Sequence, residues 1–206
     1  AKKLAETVPG LRIFIVGDGE RLDWLKRQAD AVNLELGYPC VIMTGGRTDV
    51  AQLVAACDVF VGVSRAALEA MSGGKPVLLC GNEGYGGLAR EENAAESLAS
   101  NYCCRGDQIA TEAVLNADIQ KLLAMSLEQR SALGQAGRRI VERDFSLERM
   151  AQECEKVYEL TLHPKRRVVV SGYYGYDNLG DETILGTLCD RYRDRYDLVV
   201  LSKQPH

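Results

Sequence analysis

The chain has 206 residues, with 25 basic and 29 acidic side chains and a formal net charge of −4 at pH 7. Nearly half of the residues (46%) are apolar, so the chain can bury a sizeable core and is not intrinsically disordered. A mildly acidic chain without a long basic run is not expected to bind nucleic acid, and its apolar runs are too short for the ~20 residues of a membrane helix.

Cysteine and histidine usage argues against a metal centre. The seven cysteines are scattered without CxxC spacing, and the chain has just two histidines, His163 and His206. We therefore expect reduced thiols in the cytoplasm, no metal site and no tightly bound cofactor. No signal peptide is expected, and the helical start and strand-like end suggest a piece of a longer polypeptide.

Strand and helix alternate over the first 80 residues. Apolar runs predict four strands, at 11–16, 40–44, 59–63 and 77–80. Apolar residues at helical spacing predict helices between them, at about 20–33, 50–57 and 66–72. Because the strands are apolar throughout, the pattern predicts a Rossmann-like α/β fold, with a parallel sheet and helices on both faces.

The second half of the chain is predicted to be helical up to a linker. The stretch from about 109 to 162 has helical spacing, and Ser126 with Gln129 forms a capping box inside it. The residues HPKRR at 163–167 break the last helix and mark a linker. We therefore predict a first domain at 1–162.

A partial second domain is predicted at 168–206. Its sequence predicts a strand at 168–171, a loop rich in glycine and tyrosine, a helix at about 181–192 and a strand at 198–201. This order is that of a βαβ unit that is cut short.

Residues 64–69 combine the groups that bind a nucleoside diphosphate. Ser64 follows a strand and opens a helix, where the N–H groups of residues 65–67 lack helical partners and attract anions. Arg65 offers a guanidinium to phosphate oxygens, while the small Ala66 and Ala67 allow close approach. Glu69 lies one turn beyond Arg65 and can accept hydrogen bonds from two ribose hydroxyls. The alternative is structural, with Ser64 as an N-cap and Arg65 with Glu69 as an exposed pair.

Other loops follow the carboxyl ends of predicted strands, where open α/β sheets bind ligands. We therefore add Gly17, Gly19 and Arg47 to the candidate nucleotide-diphosphate site. The loop at 81–87 either faces the bound ligand or forms a surface turn. A dinucleotide site is excluded, because Leu22 stands where GxGxxG needs its third glycine.

Three stretches resemble the nucleotide-binding half of a GT-B glycosyltransferase, close to family GT4. They are VGDGERLDWL, AACDVFVGVSRAALEAMSGGKPVLL and SLEQRSALGQAGRRIVERDFSLERMAQECEKVYEL, and they cover residues 1 to about 162. The resemblance implies transfer from a UDP or GDP sugar, with retention, to a glycan or lipid-linked acceptor. Glu69 matches the second Glu of the family's E-x7-E motif, whereas Val61 stands where the first is expected. Arg65 would partly replace the family's Arg and Lys on the diphosphate.

The stretch VVVSGYYGYDNLGDETIL resembles the start of a polysaccharide pyruvyl transferase, which uses phosphoenolpyruvate to place pyruvate on cell-wall polymers. Its candidate site residues are Gly172, Tyr173, Tyr174, Gly175, Asn178, Gly180 and Asp181. Glycines permit close backbone approach, an asparagine amide can donate, and tyrosines can stack on a sugar ring. The alternative is that Tyr173 and Tyr174 pack the loop and Asp181 caps the helix.

Together the two resemblances predict a bifunctional bacterial enzyme of surface-polysaccharide biosynthesis, in the cytoplasm or at the inner face of the membrane. These 206 residues alone are expected to be inactive, because a GT-B site is a cleft between two domains. One alternative is an epimerase or phosphorylase of the same fold. Another is a non-catalytic nucleotide- or glycan-binding module joined to a pyruvyl transferase. No catalytic residue is assigned.

Overall fold

The computed structural model describes residues 1–106, 108–176 and 178–203. The chain divides into two compact units, Ala1–Ser146 and Leu147–His206. The linker predicted at 163–167 lies inside the second unit, and its role as a domain boundary stays a prediction.

The first unit alternates strands and helices before ending in helices. Its elements are α1 (Lys2–Thr7), β1 (Ile13–Val16), α2 (Leu22–Leu36), β2 (Val41–Gly45), α3 (Val50–Ala56), β3 (Phe60–Gly62), α4 (Ser64–Ser72), β4 (Val77–Cys80), β5 (Tyr85–Leu88), α5 (Glu91–Ala99), α6 (Glu112–Leu123) and α7 (Leu127–Asp144). The predicted α/β fold is confirmed. The capping box is also present, since Ser126 Oγ accepts from Gln129 N at 3.2 Å and Gln129 Oε1 accepts from Ser126 N at 2.9 Å.

In the described part of the first unit, the strands form two sheets rather than one. β1 pairs in parallel with β2, and β3 pairs in parallel with β4. β5 pairs antiparallel with β4, with Leu78 opposite Leu88. The prediction that residues 81–87 form a loop throughout is therefore wrong for residues 85–87. These residues include two glycines but are extended because they pair with β4.

The core of the first unit lies in two clusters. The larger cluster fixes α4, whose residues Ala67, Ala70 and Met71 are fully buried. A smaller cluster of Ala29, Cys40 and Val41 lies under β1 and β2. Since burial holds one side of α4, the other side is free to meet solvent or a ligand.

Each sheet has an edge that meets no further strand in the described ranges. β1 is hydrogen-bonded to β2 alone and β3 to β4 alone. Apolar side chains on these two strands are exposed, with Phe14 at 53% and Val61 at 42% of their full area. Both edge strands therefore present apolar side chains to solvent.

The second unit comprises α8 (Leu147–Leu162), β6 (Arg166–Tyr174), α9 (Leu179–Tyr192) and β7 (Tyr196–Ser202). β6 and β7 pair in parallel, with Val169 opposite Val199, and α9 connects them. This is the predicted βαβ order, with both strands longer than predicted. Among the described residues, none of the helices has the length and apolar character required to traverse a bilayer.

Candidate functional site

The start of α4 forms the centre of the candidate site. Val63 is the N-cap and makes no side-chain cap bond, while Ser64 is the first helical residue, with a left-handed φ of 53°. The alternative that Ser64 acts as an ordinary N-cap is therefore wrong. The helix also begins two residues earlier than predicted, at Ser64 instead of residue 66.

The first amides of α4 are not all available to a ligand. Ser64 N donates to Tyr102 O at 2.7 Å, and Ala67 N donates to Val63 O at 3.4 Å. The predicted set of open amides at 65–67 is thus too large, because residue 67 already has a partner. The amides of residues 65 and 66 make no hydrogen bond to any described residue. Two adjacent N–H groups at a positive helix end remain to attract an anion.

Arg65 and Glu69 form an ion pair on the exposed side of α4. Arg65 Nε lies 3.0 Å from Glu69 Oε1, and the Arg65 side chain is 91% exposed. An exposed pair of this kind contributes only about 0.3–0.5 kcal/mol, so a ligand can open it at little cost. Glu69 Oε2 makes no hydrogen bond within the described part of the chain. The pair therefore places a cation and an open carboxylate oxygen one turn apart.

The loops after β1 and β2 meet at the carboxyl ends of their strands. Gly17 N donates to Gly45 O at 2.9 Å. A Cβ on Gly46 would lie 3.1 Å from Asp18 Oδ2, so the two loops touch. Gly17 and Gly19 have φ of 140° and 150°. A side chain at either position would be strained there.

Arg47 is engaged within its own loop. Its Nε and Nη2 contact Asp49 Oδ1 and Oδ2 at 2.7 and 2.6 Å. The hydrogen bond from Arg47 holds the pKa of Asp49 below its ordinary value. No hydrogen bond between described residues joins this loop to α4. The structure thus brings the loop of Gly17 and Gly19 next to the loop that contains Arg47. Residues 64–69 lie on a separate element, α4.

The loop at 81–84 lies against the start of α4. A Cβ on Gly81 would lie 2.8 Å from Val63 Cγ2, so only glycine fits there without a shift. Glu83 Oε2 accepts from Arg105 Nε at 2.7 Å, which ties the loop to the segment after α5.

Tyr85 fixes the far end of the same loop. The hydroxyl of Tyr85 donates to Asp118 on α6. Burial and this hydrogen bond raise the pKa of Tyr85 well above its ordinary value. The hydroxyl therefore remains protonated at neutral pH and keeps the loop joined to α6.

Sequence reasoning missed the segment Asn101–Cys104. Asn101, Tyr102 and Cys104 have φ of 54°, 56° and 57°, and the Tyr102 carbonyl holds the start of α4. The one available signal was Asn101, because asparagine tolerates left-handed backbone and this residue follows a helix. Nothing in the sequence pointed from this segment to Ser64.

In the second unit, the loop between β6 and α9 makes hydrogen bonds to the first residues of α9. Gly175, at φ 79°, donates its N–H to Glu182 Oε1 at 2.6 Å. Asn178 is the N-cap of α9, with its Oδ1 accepting from Gly180 N at 3.2 Å. Asp181 instead accepts from Asn178 Nδ2 at 2.8 Å, so the alternative that Asp181 caps the helix is wrong.

Of the two tyrosines in this loop, the structure describes the side chain of Tyr174 alone. Tyr174 is 7% exposed, and a Cβ on Gly172 would lie 2.6 Å from its ring. Tyr174 therefore packs the loop and offers no open face for a sugar. The side chain of Tyr173 and the whole of Asp177 lie outside the described residues.

No group of three or more His, Cys, Asp or Glu side chains stands close enough to hold a metal ion in the ranges that the structure describes. The site of the first unit has amides that attract an anion, the guanidinium of Arg65 and the carboxylate of Glu69. These groups suit a phosphate with an attached polyol.

The fold of the chain is the α/β fold of the GT-B type. The chain belongs to the group 1 glycosyl transferases, because that family's model matches residues 1–104 of the 206. The match includes α4 and both of its flanking strands. The predicted glycosyltransferase class is thereby confirmed, whereas the pyruvyl transferase stays a prediction.

Two solved structures share this fold. A mutant of S. aureus TarM in complex with fondaparinux, alpha-GlcNAc-glycerol and UDP aligns over 77% of the chain, with a TM-score of 0.58 and 16% identity. Anabaena HepE in complex with UDP aligns over 76% of the chain, with a TM-score of 0.52 and 20% identity. The chain spans 31% and 43% of those two proteins. No curated protein sequence matches it.

Proposed function

We propose that the first unit binds a nucleotide sugar and contributes to glycosyl transfer onto a glycan or lipid-linked acceptor. The observation that carries this proposal is the start of α4. Two amides and a carboxylate oxygen without a hydrogen-bond partner among the described residues lie within two helical turns there, together with an exposed guanidinium. Family membership supports the reaction class, since the matched region contains this helix.

In this proposal, α4 stabilises the departing nucleoside diphosphate. The amides of Arg65 and Ala66, with the Arg65 guanidinium, face the negative charge that develops as the sugar leaves. Glu69 accepts hydrogen bonds from the ribose hydroxyls after its weak pair with Arg65 opens. Val61 contributes no carboxylate, so contacts to the donor sugar come from other groups.

We propose UDP as the nucleotide. The support is that TarM and HepE were each solved in complex with UDP. GDP is the alternative, and the titration below separates the two.

The test is a calorimetric and thermal-shift titration of the whole chain with UDP, GDP and ADP. A ligand at 100 times its dissociation constant stabilises a protein by about 2.7 kcal/mol, which is easily measured. We expect UDP to bind and Glu69→Ala to abolish that binding without unfolding the chain.

The matched control is Glu142→Ala. Glu142 pairs with Arg138 on α7 in the same i,i+4 arrangement, at 2.8 Å, and both side chains are about half exposed. Its removal should change stability as little as Glu69→Ala does, and binding not at all. Absence of nucleotide binding at millimolar concentration would contradict the proposal, as would equal binding by wild type and Glu69→Ala.

We propose a second function for the second unit, as the start of a polysaccharide pyruvyl transferase in a bifunctional enzyme of surface-polysaccharide synthesis. The specific support is the resemblance of residues 172–182, together with a glycine-rich turn between a strand and a helix. The whole enzyme would work in the cytoplasm, including the inner face of the membrane. Phosphoenolpyruvate added in the same titration tests this proposal, and we expect an Asn178→Ala variant to lose any response.

A further inference from the structure

All four residues other than glycine with left-handed backbone in the described ranges lie in two segments. One segment holds Ser64, and the other holds Asn101, Tyr102 and Cys104. The hydrogen bond from Ser64 N to Tyr102 O joins the two segments. Left-handed backbone is unfavourable for any residue with a Cβ, and bulky Tyr102 rarely adopts it. Such strain persists only where the surroundings impose it, so its concentration here calls for a cause.

The anchor of the second segment is Tyr102. Its side chain is 1% exposed, and its ring meets Phe145 edge to face, with centroids 5.9 Å apart. Its N–H donates to Ser97 O at 2.6 Å, at the end of α5. Its hydroxyl is buried without a partner among the described atoms, so packing of the ring rather than the hydroxyl holds the residue.

This anchor decides which amides of α4 are occupied. The Tyr102 carbonyl accepts from the first amide, and the Val63 carbonyl accepts from the fourth. The amides of Arg65 and Ala66 between them have no partner among the described residues. Holding Ser64 in its strained conformation therefore fixes the two open amides before any ligand arrives.

We infer that the segment Asn101–Cys104 is a positioning element that pre-orders the start of α4 for the diphosphate of the nucleotide. The inference rests on the proposed nucleotide site and adds residues that do not themselves touch the ligand. A ligand that meets amides already in place avoids the ordering cost that otherwise weakens binding.

The first pair of variants tests the strain at Ser64. Ser64→Gly removes the Cβ that makes the left-handed φ unfavourable, whereas Ser64→Ala removes the hydroxyl and keeps the Cβ. We expect Ser64→Gly to raise the Tm while weakening UDP binding by roughly three- to tenfold, because the relaxed residue must be ordered at binding. We expect Ser64→Ala to leave the Tm unchanged and to weaken binding less.

The second pair separates positioning from general stability. Tyr102→Leu removes the anchoring ring, and Tyr38→Leu is the matched control. Tyr38 also has a buried hydroxyl, but it packs against the other core cluster, at the amino end of β2. Both variants should lower the Tm. At a temperature where both are folded, we expect only Tyr102→Leu to weaken UDP binding, by roughly fivefold or more.

Each outcome has a separate meaning. If wild type binds UDP and both Ser64→Gly and Tyr102→Leu bind it equally well, the positioning role is overturned while the nucleotide site stands. If Tyr38→Leu weakens binding as much as Tyr102→Leu, the effect is general loosening and the positioning role is again overturned. If wild type binds no nucleotide, the proposed function fails and there is no ligand for this segment to position.

Discussion

Two glycines on α7 test how closely this helix packs against α4 and the turn that follows it. A Cβ built on Gly134 would lie 1.8 Å from the carbonyl oxygen of Gly74, a backbone atom that cannot rotate away. A Cβ on Gly137 would lie 3.5 Å from Met71 Cγ, which is ordinary van der Waals contact with a flexible side chain. The same substitution at these two positions should therefore have opposite effects.

The magnitudes follow from the two environments. Alanine in place of glycine inside a helix stabilises by about 1 kcal/mol, and Gly137→Ala should gain close to that amount. At Gly134 the same gain is outweighed, because α7 must move away from the turn before β4, and overpacking of this kind costs about 1–3 kcal/mol or more. We expect Gly134→Ala to lose about 2 kcal/mol, which leaves the two variants roughly 3 kcal/mol apart.

Urea unfolding followed by circular dichroism, with thermal melts of the same samples, measures this difference. A gap of about 3 kcal/mol corresponds to melting temperatures roughly 6–12 °C apart in a chain of this size. The m values of both variants should match wild type, since the change concerns the folded state. Equal stability of Gly134→Ala and Gly137→Ala would refute the reasoning, because it would mean that α7 does not pack backbone against backbone at Gly134.

Two further predictions concern local contacts. Ser126→Ala removes the side-chain cap of α7 and should lower the free energy of unfolding by about 1 kcal/mol in the same assay. An unchanged free energy of unfolding would show that water replaces the capping hydroxyl at no cost. Tyr85 has a raised pKa in the folded state, so its contribution to stability is complete below about pH 10 and is lost as the pH rises beyond that value. Stability measured from about pH 9 upward should therefore fall more steeply for wild type than for Tyr85→Phe, and parallel profiles would contradict the contact with Asp118.

The alternating fold was predictable because its strands are short apolar runs between clear breaks. β4 is the best example, since Pro76 precedes it and Gly81 follows it, and its observed bounds are those predicted. β5 was not predictable from its own residues, because Tyr85–Leu88 contains two glycines and becomes a strand through its pairing with β4. Long-range pairing of this kind leaves no local signal.

The candidate site was predictable only in part, for the same reason. The i,i+4 spacing of Arg65 and Glu69 placed both on one side of a helix, where they form an ion pair. The conformation of Ser64 depends instead on a carbonyl from Tyr102, which is distant in the sequence. Local sequence reasoning therefore found the charged groups and missed the contact that decides which amides stay open.

The two separate cores of the first unit also affect how it opens. The cluster under β1 and β2 shares no buried side chain with the cluster that holds α4, so the two regions can exchange with solvent as separate cooperative blocks. The block of β1 and β2 buries fewer side chains, so we expect it to have the lower opening free energy. Amides of Ile13–Val16 should exchange hydrogen for deuterium sooner than those of Val77–Cys80. Arg65 and Glu69 lie on α4 in the other block, so we expect them to stay together when the first two strands open.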